Sequence, residues 1–393
     1  MRGSDAATVP RAVKRGENTV SGIRRAGLIV NPVAGMGGAV GLKGTDGLVE
    51  RAVQLGAVKV SVNRAARFLE KLKPFGAAID FLTCPGEMGE DAFMRAALPF
   101  RILRGMERKE RTTSEDTRLA AKKMLEEGVG VIVFCGGDGT ARDIFDTVGE
   151  DVPVIGIPAG VKMHSGVFAV SPEAAAWILV RFLWGELPLK EAEVADVDEE
   201  DFRQGRVSSR IYGYMSVPYD PERVQGLKVA TQSSDDVIEN AMAIAEWVVE
   251  GMEGGVAYVL GPGSTVKRIN QVLGIDGSQL GVDIIRDGAL VAADAPEEVV
   301  FRNVRDGKAK IIVSPIGNQG FIFGRGNQQI SPRVIRAVGR ENLVVIATRD
   351  KLRNIRLLRV DTGDPELDSL LSGTIRVVVD YNYAKIMRVV GTE

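Results

Sequence analysis

Histidine is nearly missing from this sequence: His164 is the only one in 393 residues. That excludes a multi-histidine zinc centre. Cysteine is almost as scarce. Cys84 and Cys135 make no disulfide framework for so long a chain and fall into no metal-ligand spacing, which fits a reducing compartment. Excess charge of one sign is lacking too. The 50 Lys+Arg against 52 Asp+Glu leave a formal net charge of -2. Global charge therefore gives no case for a nucleic-acid or membrane-surface partner, while a local basic pocket for phosphates stays open. No apolar run reaches the roughly 18 residues that a membrane span needs. The N-terminus lacks the charged-then-apolar profile of a secretion signal. A cytoplasmic protein without repeats or low-complexity segments is expected.

What is present is material for real cores. Hydrophobic residues are 45% of the chain and charged residues 26%, a mixture that argues against wholesale disorder. At typical domain sizes of ~100–200 residues, two or three domains are expected. Residues 1–25 are polar, basic and aperiodic and read as a flexible tail. Order is expected from Ala26-Gly27-Leu28-Ile29-Val30, a buried strand that ends in Asn31-Pro32. The glycine density from 35 to 47 suits neither helix nor strand and suggests backbone approaching a ligand. Helices are expected over 63–73 and 115–127, and strands over 78–82, 129–135 and 153–158. The run 129–135 is almost continuously apolar, as in strands buried on both faces of a parallel sheet. Alternating strands and helices predict a doubly wound α/β domain over 26–192, with ligands beyond the carboxyl ends of its strands.

Near Glu191 the texture changes. Residues 193–198 and 206–217 alternate like strands with one solvated face, and 196–201 read as a solvated acidic turn rather than a metal cluster. Residues 235–250 form an amphipathic helix, 257–260 a strand, and 311–313 another. A second α+β or β-rich domain is expected over 193–330, with the segment 331–393 returning to the first domain.

The chemistry centres on Gly136-Gly137-Asp138-Gly139-Thr140, placed between a strand and a helix. Glycines let main-chain N–H groups face an anion, and a helix N-terminus adds partial positive charge. Thr140 is positioned to cap the helix. Asp138 is unusual there because a carboxylate repels phosphate. It suggests work on a metal ion or on the proton of an attacking hydroxyl. The alternative is a turn Asp that satisfies local backbone groups. Asn31, Pro32, Gly35, Gly37 and Gly38 make a second candidate cradle, and Gly263-Ser264-Thr265 a third, the last equally readable as a plain helix cap. Arg142 and Lys162 are candidate phosphate ligands. His164 stands beside them, either structural or substrate-facing. Gly317, Asn318, Gln319, Asn327 and Gln328 supply neutral groups suited to a base or ribose, or else hold their own loops.

These residues resemble a known family. Gly136-Gly137-Asp138-Gly139-Thr140 is similar to the signature of NAD kinases and of diacylglycerol and sphingosine kinases, and Asn31-Pro32-Val33-Ala34-Gly35-Met36-Gly37-Gly38 resembles the turn that opens the first two groups. Residues 156–165, 314–321 and Gly324-Arg325-Gly326-Asn327-Gln328-Gln329 look like the prokaryotic ATP-NAD kinase-like, or AcoX-type, branch. The resemblance runs from about Gly27 to the end. It implies an active site in an interdomain cleft, with Asp138 nearest the transferred phosphoryl group and the glycines and Thr140 around the phosphates. It also implies ATP or polyphosphate as donor, Mg²⁺ as the accompanying cation, NAD as acceptor and self-association into a homo-oligomer. The stretch 314–319 resembles a nucleotide-binding loop of NAD kinases, with Ile316, Asn318 and Gln319 where that loop carries hydroxyl residues. The functional expectation is an NAD kinase. The alternatives are a related kinase of another small hydroxyl metabolite and a non-catalytic NAD-binding regulator.

Overall fold

A computed structural model describes residues 24–42, 48–159, 163–197, 209–220, 235–278, 280–305, 307–317 and 319–391. The expected tail, Lys162 and Asn318 lie outside these residues, apart from Arg24 and Arg25, which open the first strand.

Five strands build the first sheet: β1 (Arg24–Val30), β2 (Ile79–Thr83), β3 (Arg101–Ile102), β4 (Val131–Gly136) and β5 (Val154–Pro158). Their order is β3-β2-β1-β4-β5, and every pair is parallel. The helices of this half are α1 (Val49–Gln54), α2 (Ser61–Lys71), α3 (Glu90–Ala96), α4 (Ser114–Glu126), α5 (Asp138–Val148) and α6 (Pro172–Leu183). The period of two along each strand sorts the core into two layers. Leu28, Val30, Val131 and Val133 pack under α2, α3 and α6. Ile29, Ile132 and Phe134 pack under α4 and α5. Both faces are covered, so β4 is buried at every position, as its unbroken apolar run predicts.

An antiparallel ribbon follows, β6 (Leu189–Val197) with β7 (Ser209–Pro218). Val194 and Met215 add their side chains to the layer beneath α5. The expected boundary at 193 thus falls inside β6.

The second sheet has nine strands: β8 (Ala257–Leu260), β9 (Asp283–Arg286), β10 (Ala289–Ala292), β11 (Ala309–Val313), β12 (Phe321–Phe323), β13 (Leu343–Ile346), β14 (Leu358–Val360), β15 (Gly373–Asp380) and β16 (Tyr383–Gly391). Their order is β10-β9-β8-β11-β13-β15-β16-β14-β12. The run β8-β11-β13-β15 is parallel, while β9, β10 and β16 introduce antiparallel pairs. Helices α7 (Asp235–Glu250) and α8 (Ser264–Val272) cover one face through Ile244, Val248, Val266 and Ile269. Helices α9 (Glu297–Val304), α10 (Pro332–Val338) and α12 (Pro365–Leu371) cover the other, and α11 (Arg349–Leu352) follows β13. This is a mixed β-rich sheet flanked by helices. The segment after Ser331, expected to return to the first domain, supplies β13 to β16 of this sheet, and its Asp361 meets Arg64 and Arg67 of α2. Apolar alternation marks a strand but does not say which sheet it joins.

Candidate active site

The strand order places a topological switch point between β1 and β4. The chain leaves β1 toward β2 and β3 on one side, then restarts at β4 and β5 on the other. Ligands of open α/β sheets bind at the carboxyl ends of strands at such a switch. The turns that end β1 and β4 here are the two glycine-rich motifs, and they are tied together. Asn31 donates its main-chain N–H to Cys135 O at 2.9 Å. Its side-chain Nδ2 donates to Thr140 Oγ1 at 3.0 Å, and its Oδ1 accepts from Val33 N at 3.2 Å. Gly136 makes room for this tie, because a Cβ there would overlap the Thr140 side chain. Gly35 has φ 79°, and a Cβ on it would run into the carbonyl of Ala159, just past β5. Three carboxyl-end turns therefore pack into one edge. Pro32, Gly37 and Gly38 are buried in it.

Helix α5 begins at Asp138, three residues earlier than the sequence suggests, with Gly137 as its N-cap. Thr140 lies in the first turn rather than at the cap, and its hydroxyl meets Asn31 instead. The Asp138 carboxylate is partly exposed at the edge, not sunk in an apolar interior. Oδ2 accepts from His164 N at 2.8 Å, and Oδ1 accepts from Ser165 N at 2.9 Å and Ser165 Oγ at 2.6 Å. The Ser165 hydroxyl in turn accepts from Ala195 N in β6 at 2.9 Å. His164 thus reaches Asp138 through its main chain while its ring is buried. Ser165 was not singled out as a site residue in the sequence, although it closes the 156–165 stretch that carries the resemblance. Gly139 is half-buried in the first turn of α5, and the half-buried Arg142 has its guanidinium 6.0 Å from the Tyr212 ring centroid, on the side of β7.

The second sheet presents a matching edge. β8, β11 and β13 are parallel neighbours, so the segments after them emerge side by side. These are Gly263-Ser264-Thr265, the stretch from Ser314, and Thr348 to Lys351. Gly263 is the N-cap of α8 and no side chain caps it; Ser264 is exposed and Thr265 buried. Lys351 Nζ donates to the buried Ser314 Oγ at 3.1 Å, a cation that sequence reading overlooked. Ile316 N donates to Phe321 O at 2.7 Å, which closes a turn through Gly317 and the half-buried Gln319. Antiparallel pairing puts the start of β9 and the end of β10 at the same edge. Here the halves meet: Glu297 N donates to Ala39 O at 3.0 Å. A Cβ on Gly41 would lie 3.6 Å from Asp294 O and 3.9 Å from Gln329 Nε2. The turn after β1 thus touches the second domain at the turn after β10.

Asn327 and Gln328 bond within their own loop. Asn327 is fully buried; its Nδ2 donates to Ile322 O at 2.8 Å and its Oδ1 accepts from Gly324 N at 3.2 Å. Gln328 Nε2 reaches Gly324 O at 3.5 Å. Both amides close their own loop, the alternative reading of these residues. That loop brings Arg325 to a buried ionic joint. Asp361, fully buried, accepts Arg64 at 2.9 Å, Arg325 at 3.2 Å and Arg67 at 3.5 Å, and Arg67 also reaches Glu173 at 2.9 Å. Arg325 further donates to Val170 O at 2.7 Å. Burial opposes the Asp361 charge, but the guanidiniums of Arg64, Arg325 and Arg67 overcome it and hold the carboxyl well below its ordinary range. Burial pulls Arg325 down to about 10, against Asp361, so it stays cationic at neutral pH.

A family model described as the ATP-NAD kinase N-terminal domain matches residues 27–187, and one described as the ATP-NAD kinase C-terminal domain matches residues 253–389. The chain belongs to the ATP-NAD kinase family. The first match of this ATP-NAD kinase family member ends just before β6, and the second begins just before β8. The ribbon and α7 lie between them. The resemblance read from the motifs is borne out at the level of the family. No curated protein sequence matches the chain.

Proposed function

We propose that this protein transfers a phosphoryl group from ATP, or from inorganic polyphosphate, to the 2′-hydroxyl of NAD and so makes NADP. The observation that carries this reading is Asp138 fixed at the start of α5 beside the Asn31–Thr140 tie, on an edge whose turn after β1 touches the second domain. Main-chain amides of Gly35, Gly37, Gly38, Gly136, Gly137 and Gly139 and the N-terminus of α5 hold phosphate oxygens. Asp138, oriented by His164 N and by Ser165, accepts the proton of the attacking hydroxyl. Gly263, Ser264, Thr265, Gly317, Asn318 and Gln319, joined by Lys351, hold the nucleotide from the second domain.

Among the described residues, no three metal-ligating side chains are gathered into a metal site. That fits Mg²⁺, which binds through a carboxylate or two and the phosphates it accompanies, with Asp138 as the carboxylate at the turn. When bound, it would offset charge on the transferring group.

The test is product formation by the full chain with NAD and a panel of small alcohols, each offered ATP or polyphosphate with Mg²⁺. NADP from one donor is the expected result. Phosphorylation of another alcohol but not of NAD moves the acceptor, and tight NAD binding without product from either donor makes the protein a regulator.

A further inference from the structure

The turn after β1 is held from the other domain, and the hold leads back to a buried ion pair with no part in the chemistry above. Lys267 in α8 is 4% exposed, and its ammonium lies 2.8 Å from Oδ2 of Asp283, itself 0% exposed. Asn270 Nδ2 donates to the same oxygen at 2.9 Å. The other oxygen, Oδ1, accepts from the main-chain N–H of Asp294 at 3.0 Å. Asp294 sits at φ 44°, a conformation that costs a non-glycine residue of order 1 kcal/mol and persists only where its surroundings impose it. Gly281 packs against the Asp294 side chain so closely that a Cβ would overlap the carboxylate. The same turn then touches residues 39–41, through Asp294 O beside Gly41 and through Glu297 N, which donates to Ala39 O at 3.0 Å.

A buried ion pair adds little net stability over an apolar pair of the same volume. What Lys267 and Asp283 add is a fixed acceptor for one N–H, at the start of the turn that reaches across to the phosphate-binding edge. We propose that Lys267 and Asp283 are positioning residues for the turn after β1: through Asp294 and Glu297 they fix residues 39–41 against the second domain. Its effect on turnover rests on the kinase reading; its effect on the turn does not.

The experiment uses the full chain and two double variants, Lys267→Met with Asp283→Asn and Lys267→Met with Asp283→Leu. Both lack the ion pair; only the first keeps an acceptor for Asp294 N–H. Amide hydrogen exchange over residues 33–42 is expected to stay near wild type in the first and to rise about fivefold in the second, the scale of one lost hydrogen bond. The KM for ATP should rise with exchange while kcat changes less. Equal exchange in the two overturns the proposal. If either fails to fold, Glu297→Pro against Glu297→Ala carries the test: both lose the carboxylate that meets Ser331 and Arg333, and proline, tolerated at the first helical position, also loses the N–H that meets Ala39. Faster exchange in the proline variant supports the hold, and equal exchange overturns it. A wild-type chain that makes no NADP defeats the kinase reading and leaves the exchange comparison standing.

Discussion

Asn31 Nδ2 and Thr140 Oγ1 lie 3.0 Å apart, and this bond joins the end of β1 to the first turn of α5 across the switch point of the first sheet. Asn31 also donates its main-chain N–H to Cys135 O, so two bonds join the glycine turns. Asn31→Ala should keep the main-chain bond and lose the side-chain one, at a cost of about 1 kcal/mol. Thermal unfolding should show that small loss, while the KM for ATP rises several-fold. Gly136→Ala should be worse, because its methyl meets Thr140 and α5 must shift. Equal kinetics in both variants would separate the tie from phosphate binding.

Among the described residues, Asp138 accepts from two main-chain N–H groups and one hydroxyl. In Asp138→Asn an NH₂ must face one of them, so the variant loses more than charge. Turnover should fall by roughly 10²–10⁴, the usual worth of a placed general base, and exchange at residues 163–165 should quicken. Ser165→Ala removes one donor and leaves the carboxylate, so turnover should stay within about tenfold of wild type on a hydrogen-bond scale. Equal losses in the two would make Asp138 a loop anchor only.

The joint at Asp361 bears on stability and on acid. Asp361→Asn leaves Arg64, Arg67 and Arg325 facing a neutral group in a buried site, for a loss of about 3–5 kcal/mol in urea unfolding. The carboxyl is held below its unfolded value of about 3.9, so the unfolded chain takes up the proton first as pH falls. The stabilisation from Asp361 is thus whole above that value and is lost as pH drops through the depressed native one. The stability gap between wild type and variant should be flat from neutral pH to about 5 and shrink only in stronger acid. A gap that shrinks already between pH 7 and 5 would contradict this.

Both cysteines are buried, and burial raises each thiol to about 12. Neither forms thiolate at neutral pH, so a disulfide-exchange reagent should find no fast-reacting thiol in the native protein and two after denaturation. Rapid native labelling at Cys135, which precedes the glycine turn, would show that this edge opens.

Much of the first domain was legible because its signals are local. The apolar run into β4 and the glycines after it each lie within one stretch of chain. The start of α5 was misread because Gly137, Asp138 and Gly139 are weak helix formers, and tertiary contacts from Asn31 and Ser165 hold that turn. The pairing of the strands after Ser331 within the second sheet depends on partners far away in the chain. The Asp361 joint was invisible for the same reason: Arg64 and Asp361 are 297 residues apart, and a lone buried carboxylate carries no mark in sequence. The site was legible as motifs, and the contact of residues 39–41 with the turn after β10 was not.

The most direct measurement follows the γ-phosphoryl group itself. The full chain is incubated with γ-labelled ATP, Mg²⁺ and NAD, and label is sought at the 2′-position of the dinucleotide. Labelled NADP from the wild-type chain and almost none from Asp138→Asn is the expected result. Label released only as inorganic phosphate, or equal NADP from both proteins, would contradict it.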